Sequence, residues 1–437
     1  MDELRKYKLG ELCKLSSSKR IFESEYVKNG IPFIRGQEIS DKSILDDNAK
    51  FECYISEARY NELKEKYGVP QKGDILMTAV GTIGNLVVLN SDRPFYFKDG
   101  NVIRFSDFAE IVDSTYLSFF MKSPYFNKQI EYALIGAVQK ALTMVMLTNI
   151  EIPLSDIIEQ KRIAKVLSTI DRKITINREI NRNLEELAKQ IYDYWFVQFD
   201  FPNKEGKPYK SSGGKMVYNE VLKREIPAGW EIKKISSQIK ENIGGDWGKE
   251  EPEGNYQLKV SCCRGADLVS MTDLPTRYIL NSNSYKLLEE DDMIVEISGG
   301  SPTQATGRCV LISKEILNSF NNKLICSNFC QALSISDKDY VSYFYYMWKM
   351  FYNSDVFFNF EGKTSGIKNF QYDTFVAEKW YFPPKDLAKK FKEIVSQNYM
   401  KKCALDQENK HLAALRDELL PLLMNGQVTL NSCLSAD

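Results

Sequence analysis

A chain that writes its own plan twice has few folds open to it, and these 437 residues do so. Gly73-Asp74-Ile75-Leu76 leads through Gly81 to Ile83-Gly84-Asn85 and the apolar Val87-Val88-Leu89. Asp291-Asp292-Met293-Ile294 leads through Gly299 to Thr306-Gly307-Arg308 and Val310-Leu311-Ile312. Gly136 stands 17 positions before Pro153, and Gly366 stands 17 before Pro383. Each proline opens a long amphipathic stretch, 156–200 in one half and 385–426 in the other. The offset between copies drifts from about 218 to about 230, as small loop insertions produce. That period is far too long for a solenoid, whose units run about 20–50 residues. The repeated unit is a globular module followed by a long helix.

Within residues 1–155, short runs such as Ile31-Pro32-Phe33-Ile34, Ile75-Leu76-Met77 and Val102-Ile103-Arg104-Phe105 sit between Gly, Asp and Asn, the pattern of strands and turns. Segment 113–133 has helical spacing. The second module, 228–384, repeats the scheme, with strand-like stretches at 256–262, 293–297, 308–312 and 324–333 before an aromatic helical 340–358. The 24 Tyr and 24 Phe suit two well-filled cores.

The long segments read differently. Ile163, Leu167, Ile170, Ile174, Asn177, Asn181, Leu184, Ala188 and Ile191 alternate in steps of four and three. Phe391, Asn398, Leu405, Leu412 and Leu419 recur every seven, with Val395, Leu415 and Leu422 between. A helix of about 40 residues is about 60 Å long, and alone it leaves its apolar stripe wet, so the two stripes are expected to bury each other. The expected fold is α+β: two mixed α/β domains separated by two long antiparallel coiled-coil helices, with approximate twofold symmetry. Its parts are a first domain 1–155, a helix 156–200, a linker 201–227, a second domain 228–384, a helix 385–426 and a tail 427–437. Asn177 and Asn181 are expected to fix the register against Asn398, and Pro421 to kink or close the second helix.

A net charge of −1 argues against a chain that coats nucleic acid without specificity, though a local basic patch remains open to that use. One begins in the Gly/Pro/Lys-rich linker, with eight Lys and Arg from Lys204 to Lys234; a solvated linker reads the same way. Nine cysteines at irregular spacing and a single His411 fit buried, reduced thiols better than a metal site. Met1-Asp2-Glu3-Leu4-Arg5 is no secretory signal, and no apolar run approaches the roughly 20 residues of a membrane span, so a soluble cytoplasmic protein is expected.

Catalytic constellations are hard to assemble. His411 on a coiled-coil helix is poorly placed to activate a nucleophile. Gly362-Lys363-Thr364 resembles the end of a phosphate loop, but Phe357 stands where that loop needs its first glycine. Phe382-Pro383-Pro384-Lys385 resembles the Asn/Asp-Pro-Pro-aromatic motif of adenine methyltransferases, yet Phe382 cannot accept the amino protons of a flipped base. No catalysis by this chain alone is expected.

A set of motifs carries a family resemblance. Glu159-Gln160-Lys161-Arg162-Ile163 follows Ile152-Pro153-Leu154. Further on come Trp195-Phe196, Phe199-Asp200-Phe201-Pro202, Lys207-Pro208-Tyr209-Lys210-Ser211-Ser212-Gly213-Gly214 and Ile226-Pro227-Ala228-Gly229-Trp230. Leu415-Arg416-Asp417-Glu418-Leu419-Leu420-Pro421-Leu422-Leu423 with Gly426 closes the series. Together they resemble the DNA specificity subunit of type I restriction-modification systems over essentially the whole chain. One departure is Ala388-Lys389-Lys390-Phe391, where the first helix has its Glu-Gln-Lys run.

The resemblance implies that each module is a target recognition domain reading one half of a split double-stranded DNA sequence. The helices would set the spacer and dock two modification subunits. Those subunits would hold S-adenosylmethionine and methylate adenine, and a restriction subunit would bring ATP and Mg; no cofactor is expected in this chain. Two related modules suit half-sites about one helical turn, roughly 34 Å, apart, and their divergence implies an asymmetric target. Candidate DNA contacts are Lys19, Arg20, Arg35, Gln37, Gln139 and Lys140 in the first module. In the second they are Arg264, Ser301, Gln304, Lys363, Thr364, Ser365, Lys368 and Asn369. The loops 136–140 and 362–369 occupy matching places and mix flexible backbone with side chains able to meet phosphates or base edges, and the others are further candidates. The alternatives are the recognition part of a combined methyltransferase-nuclease, against which the missing motifs weigh, or a coiled-coil structural or regulatory protein.

Overall fold

A computed structural model describes residues 4–45, 49–134, 142–271, 273–299, 304–362 and 368–428. The chain divides into two compact units, Met1–Thr175 with Lys410–Asp437, and Ile176–Asn409. Among the described residues no helix is long and apolar enough to cross a membrane.

The duplication is explicit in the sheets. In the first unit a four-stranded antiparallel sheet runs Lys14–Ser16, Val102–Ser106, Ile75–Thr78, Leu86–Val88. In the second the order is Ile239–Gly244, Cys330–Ile335, Met293–Glu296, Cys309–Leu311, again antiparallel throughout. The central pairings correspond, Ile75 opposite Phe105 and Met293 opposite Leu333. These central strands are buried along their length, which explains why Ile75-Leu76-Met77 and Met293-Ile294-Val295 read as continuous apolar runs.

A second sheet repeats as well. Ile31–Ile34 pairs antiparallel with Tyr54–Ile55 and parallel with Tyr96–Phe97. Tyr256–Cys263 pairs antiparallel with Thr276–Leu280 and parallel with Lys323–Cys326. The first unit adds one short edge strand, Tyr26–Val27. Each module is then closed by its two ends: Arg5–Lys8 against Glu151–Leu154, and Glu231–Lys234 against Lys379–Phe382. Arg5 faces Leu154 as Glu231 faces Phe382, the same register.

The long helices leave from these closing strands. The first runs Ile157–Tyr192 and passes into a π turn at Asp193–Val197, so it stops short of the expected 200. The second runs Lys385–Met424. Pro421 neither closes it nor opens its last turn: the helix continues to Met424, and Gly426 at φ +66° takes the left-handed stop.

Ile163, Leu167 and Ile174 are buried as the heptads require. Within the first unit, Leu420 and Leu423 join Ile163 and Leu167 in one core, and Arg416 Nη1 meets Asp171 Oδ1 at 2.8 Å. Within the second unit, Asn177 Nδ2 donates to Glu408 Oε2 at 2.7 Å and Asn409 Oδ1 at 3.0 Å, and Asn181 Nδ2 to Asp406 Oδ1 at 2.6 Å. Their partners are therefore not Asn398, because the descending helix brings residues 406–409 opposite them. Leu415, expected in the seam, is exposed.

The linker is more built than its composition suggests. Asp200 takes hydrogen bonds from Ser211 N at 2.7 Å and Ser211 Oγ at 2.5 Å, Phe201 stacks on Tyr209 at 4.6 Å, and Met216–Asn219 pairs with Arg224–Pro227. It packs on an aromatic core of the second unit. Phe196 is fully buried, 4.9 Å from Tyr343 and 5.0 Å from Phe391, and its carbonyl accepts from Tyr381 Oη at 2.8 Å. The aromatic abundance is thus core, and Phe382 is buried in it rather than aimed at a base. Phe196→Ala is expected to cost about 3–5 kcal/mol by leaving a cavity among these rings. Tyr218→Ala on the exposed hairpin is expected to stay within about 0.5 kcal/mol. Denaturant midpoints of the two variants check this.

Candidate nucleic-acid interface

Two equivalent turns organise the candidate interface, one in each unit. At the end of Ile31–Ile34 the chain reads Arg35-Gly36-Gln37-Glu38, and at the end of Tyr256–Cys263 it reads Arg264-Gly265-Ala266-Asp267. In both, the arginine precedes a short helical turn, and the acid three residues on accepts the arginine's own backbone N–H at 2.9 Å. The same acid also takes the guanidinium. The capping side chain therefore serves the turn and the cation together.

Contacts extend from each turn. In the first unit, Lys98 N donates to Ile34 O at 2.8 Å, which sets the 96–100 loop beside Arg35. That loop holds the first basic pair: Arg20 Nε meets Asp99 Oδ2 at 3.0 Å, and Lys19 N donates to Tyr96 Oη at 2.8 Å while its Nζ lies 4.8 Å over Tyr67. On the other side, Ser40 Oγ reaches Thr82 Oγ1 at 2.7 Å, and Leu142 N donates to Ala79 O at 2.9 Å. Lys19, Arg20, Arg35 and Gln37 are thus brought to one group of loops; Gln37 is exposed. Gln139 and Lys140 lie outside the described residues.

The second unit is braced by a buried acid. Glu296 ends the central strand and is 2% exposed; Arg308 grips it with Nε at 2.9 Å and Nη2 at 2.6 Å. This hydrogen bonding holds the Arg308 guanidinium above its ordinary pKa. A β-carbon at Gly265 would stand 2.6 Å from Glu296 Oε1, and one at Gly299 would stand 2.7 Å from the same oxygen. Only glycine lets both loops close on that carboxylate.

From Gly299 the strand pairing runs to Lys368, and Ser298 Oγ donates to Asn369 Oδ1 at 2.8 Å. Lys368 pairs with Glu361 at 2.8 Å, and Gln304 is exposed with its side chain bonded to Tyr352. Arg264, Lys368 and Asn369 therefore gather around Glu296. Ser301, Lys363, Thr364 and Ser365 lie outside the described residues.

Several of these candidates already hold an acid of their own: Arg20, Arg35, Arg264 and Lys368 are all ion-paired. The bracing residues Glu38, Asp267, Glu296 and Arg308 were not singled out from sequence as site residues. The repeated Arg-Gly-x-acid pattern was the available signal. Burial pushes the Cys262 and Cys330 thiols up to about 12, and among the described residues no group of three or more side chains is set to hold a metal ion.

The profile of the type I restriction modification DNA specificity domain matches residues 1–186. The MjaIX specificity subunit of Methanocaldococcus jannaschii is 25% identical across 92% of this chain and 88% of its own length. The match places residues 1–186 in the type I restriction-modification DNA specificity family, and the likeness to a specificity subunit runs along nearly the whole chain. A putative specificity subunit of Haemophilus influenzae, S.HindORF215P, is 30% identical over 45% of this chain and 48% of that one. The S subunit of M. genitalium shares the fold, with a TM-score of 0.57 at 16% identity over 97% of each chain. Each of these relatives is named as a specificity subunit of a type I restriction system.

The brace is open to test. Glu296→Ala strands a largely buried guanidinium and is expected to destabilise the chain by about 3 kcal/mol. Asp99→Ala, which frees the exposed Arg20, is expected to cost under about 1 kcal/mol. Urea unfolding midpoints of the two variants separate these outcomes.

Proposed function

We propose that each unit's module reads one half of a bipartite, asymmetric double-stranded DNA target. The domains responsible are 1–155 and 228–384. The two long helices run antiparallel as a coiled coil between them, set the length of the unread gap, and dock two modification subunits. At 1.5 Å per residue, helices of 36 and 40 residues are about 54 and 60 Å long, enough to hold two modules over sites about a helical turn apart. The modification subunits supply S-adenosylmethionine and methylate adenine, and a restriction subunit supplies ATP- and Mg-dependent cleavage. The complex acts in the cytoplasm.

One observation carries this reading: the same two sheets occur twice in matching registers, while the loop residues at matching positions differ. Thr78 ends the central strand in one module and Glu296 in the other. A shared scaffold with diverged loops is what two readers of different half-sites require. The physical division of labour also fits, since backbone-phosphate contacts position a module while a few base-edge contacts specify it.

Replacing 228–384 by the corresponding module of another specificity subunit is expected to change one half of the methylated motif. The other half and the gap should stay as they were. Methylation mapping of cells carrying the chimera with its modification subunit reads this out. A simultaneous change in both halves would refute modular reading.

A further inference from the structure

Arg35 and Arg264 occupy the same place in the two modules but hold their guanidinium groups differently. Arg264 gives Nε to Asp267 Oδ2 at 2.8 Å and Nη2 to Asp267 Oδ1 at 2.9 Å. That paired contact uses one edge of the planar fork. The other edge, formed by Nη1 and the second Nη2 proton, meets no acceptor among the described residues. The Arg264 side chain is 47% exposed, while Asp267 beneath it is 13% exposed. Arg35 instead commits Nη2 to two carboxylates, Glu38 Oε1 at 3.2 Å and Glu52 Oε2 at 2.7 Å. Both edges of its fork are then engaged through Nη2, and its Nε is buried without an acceptor.

We propose that Arg264 reads a guanine in the half-site of the second module, through O6 and N7 in the major groove, and that Arg35 braces its own turn and reads no base. This rests on the second module being a DNA reader. Two parallel N–H donors match guanine, whose major-groove edge offers two adjacent acceptors; adenine offers one acceptor and one donor there. Asp267 fixes the fork in advance, so less side-chain freedom is lost when the free edge is filled.

The same acid argues against a phosphate role. An arginine already neutralised by a carboxylate gains little from a phosphate, whose attraction comes from unpaired charge and counterion release. The turn is also held rigidly. Gly265 closes on Glu296, which Arg308 grips, and Lys368 and Asn369 pair with Gly299 and Ser298 just beyond that carboxylate. A reader needs such support, because a fork displaced by about 1 Å loses its paired geometry.

The test uses the full chain assembled with its modification subunit, assayed for methylation on duplexes carrying every single base-pair change in the wild-type motif. Wild type should require G·C at one position of the second half-site. Arg264→Ala should lose roughly ten- to hundredfold discrimination at that position alone. Arg264→Lys keeps the charge but not the fork, and should relax the same position. Arg35→Ala should relax none. Equal loss on all duplexes, no loss, or relaxation at a base pair other than G·C would overturn the assignment. If Arg264→Ala does not assemble, Arg264→Lys and Asp267→Asn decide by the same criterion. A wild-type motif without two separate halves would instead remove the underlying reading, a result distinct from a bipartite motif that Arg264 does not affect.

Discussion

Each module depends on a four-residue antiparallel pairing that brings its last strand back to its first. Arg5–Lys8 against Glu151–Leu154, and Glu231–Lys234 against Lys379–Phe382, turn an open string of short strands into a closed body with one exit. The exit is a helix start, at Ile157 or Lys385, only three residues past the strand. A slip of one residue in this pairing would move Ile152 or Tyr381 off the core face, since strand side chains alternate. It would also turn the helix away from its seam. The closing pair therefore couples each module to the helix that follows it.

In the second unit that coupling is reinforced by rings. Tyr192 and Phe196 from the end of the first helix, Phe391 from the second, and Tyr343 and Tyr381 from the module share one core. Tyr343 and Tyr381 each hydrogen-bond a backbone carbonyl, so the phenols are buried with their polar ends satisfied. Further along, the seam turns polar at Asn177 and Asn181, whose amides find Glu408, Asn409 and Asp406. Apolar packing could tolerate a shift of one turn; these amides would lose their acceptors, so they favour a single register at some cost in stability.

Much of this was legible in the sequence, and for identifiable reasons. The duplicated apolar runs are central strands buried on both faces, so they survive divergence as runs. The heptads marked both helices because a buried stripe imposes its period. What escaped was set by geometry across the chain. Asn177 was expected opposite Asn398, but the offset between antiparallel helices depends on where each leaves its module. The linker read as loose because Asp200 organises it from outside, through Ser211. Among the candidate contacts, residue type pointed to Arg35 and Arg264 alike. Only three-dimensional placement distinguishes Glu52, which ties down the first, from the single Asp267 that leaves the second with an open edge.

The central claim is that two equivalent scaffolds with different loops read two different half-sites. Sequencing that maps methylated adenines across the genome of cells expressing this chain with its modification subunit tests it most directly. The account predicts one asymmetric motif made of two short specified segments separated by a gap of fixed length and free sequence. A continuous motif, or a palindrome with identical halves, would contradict it.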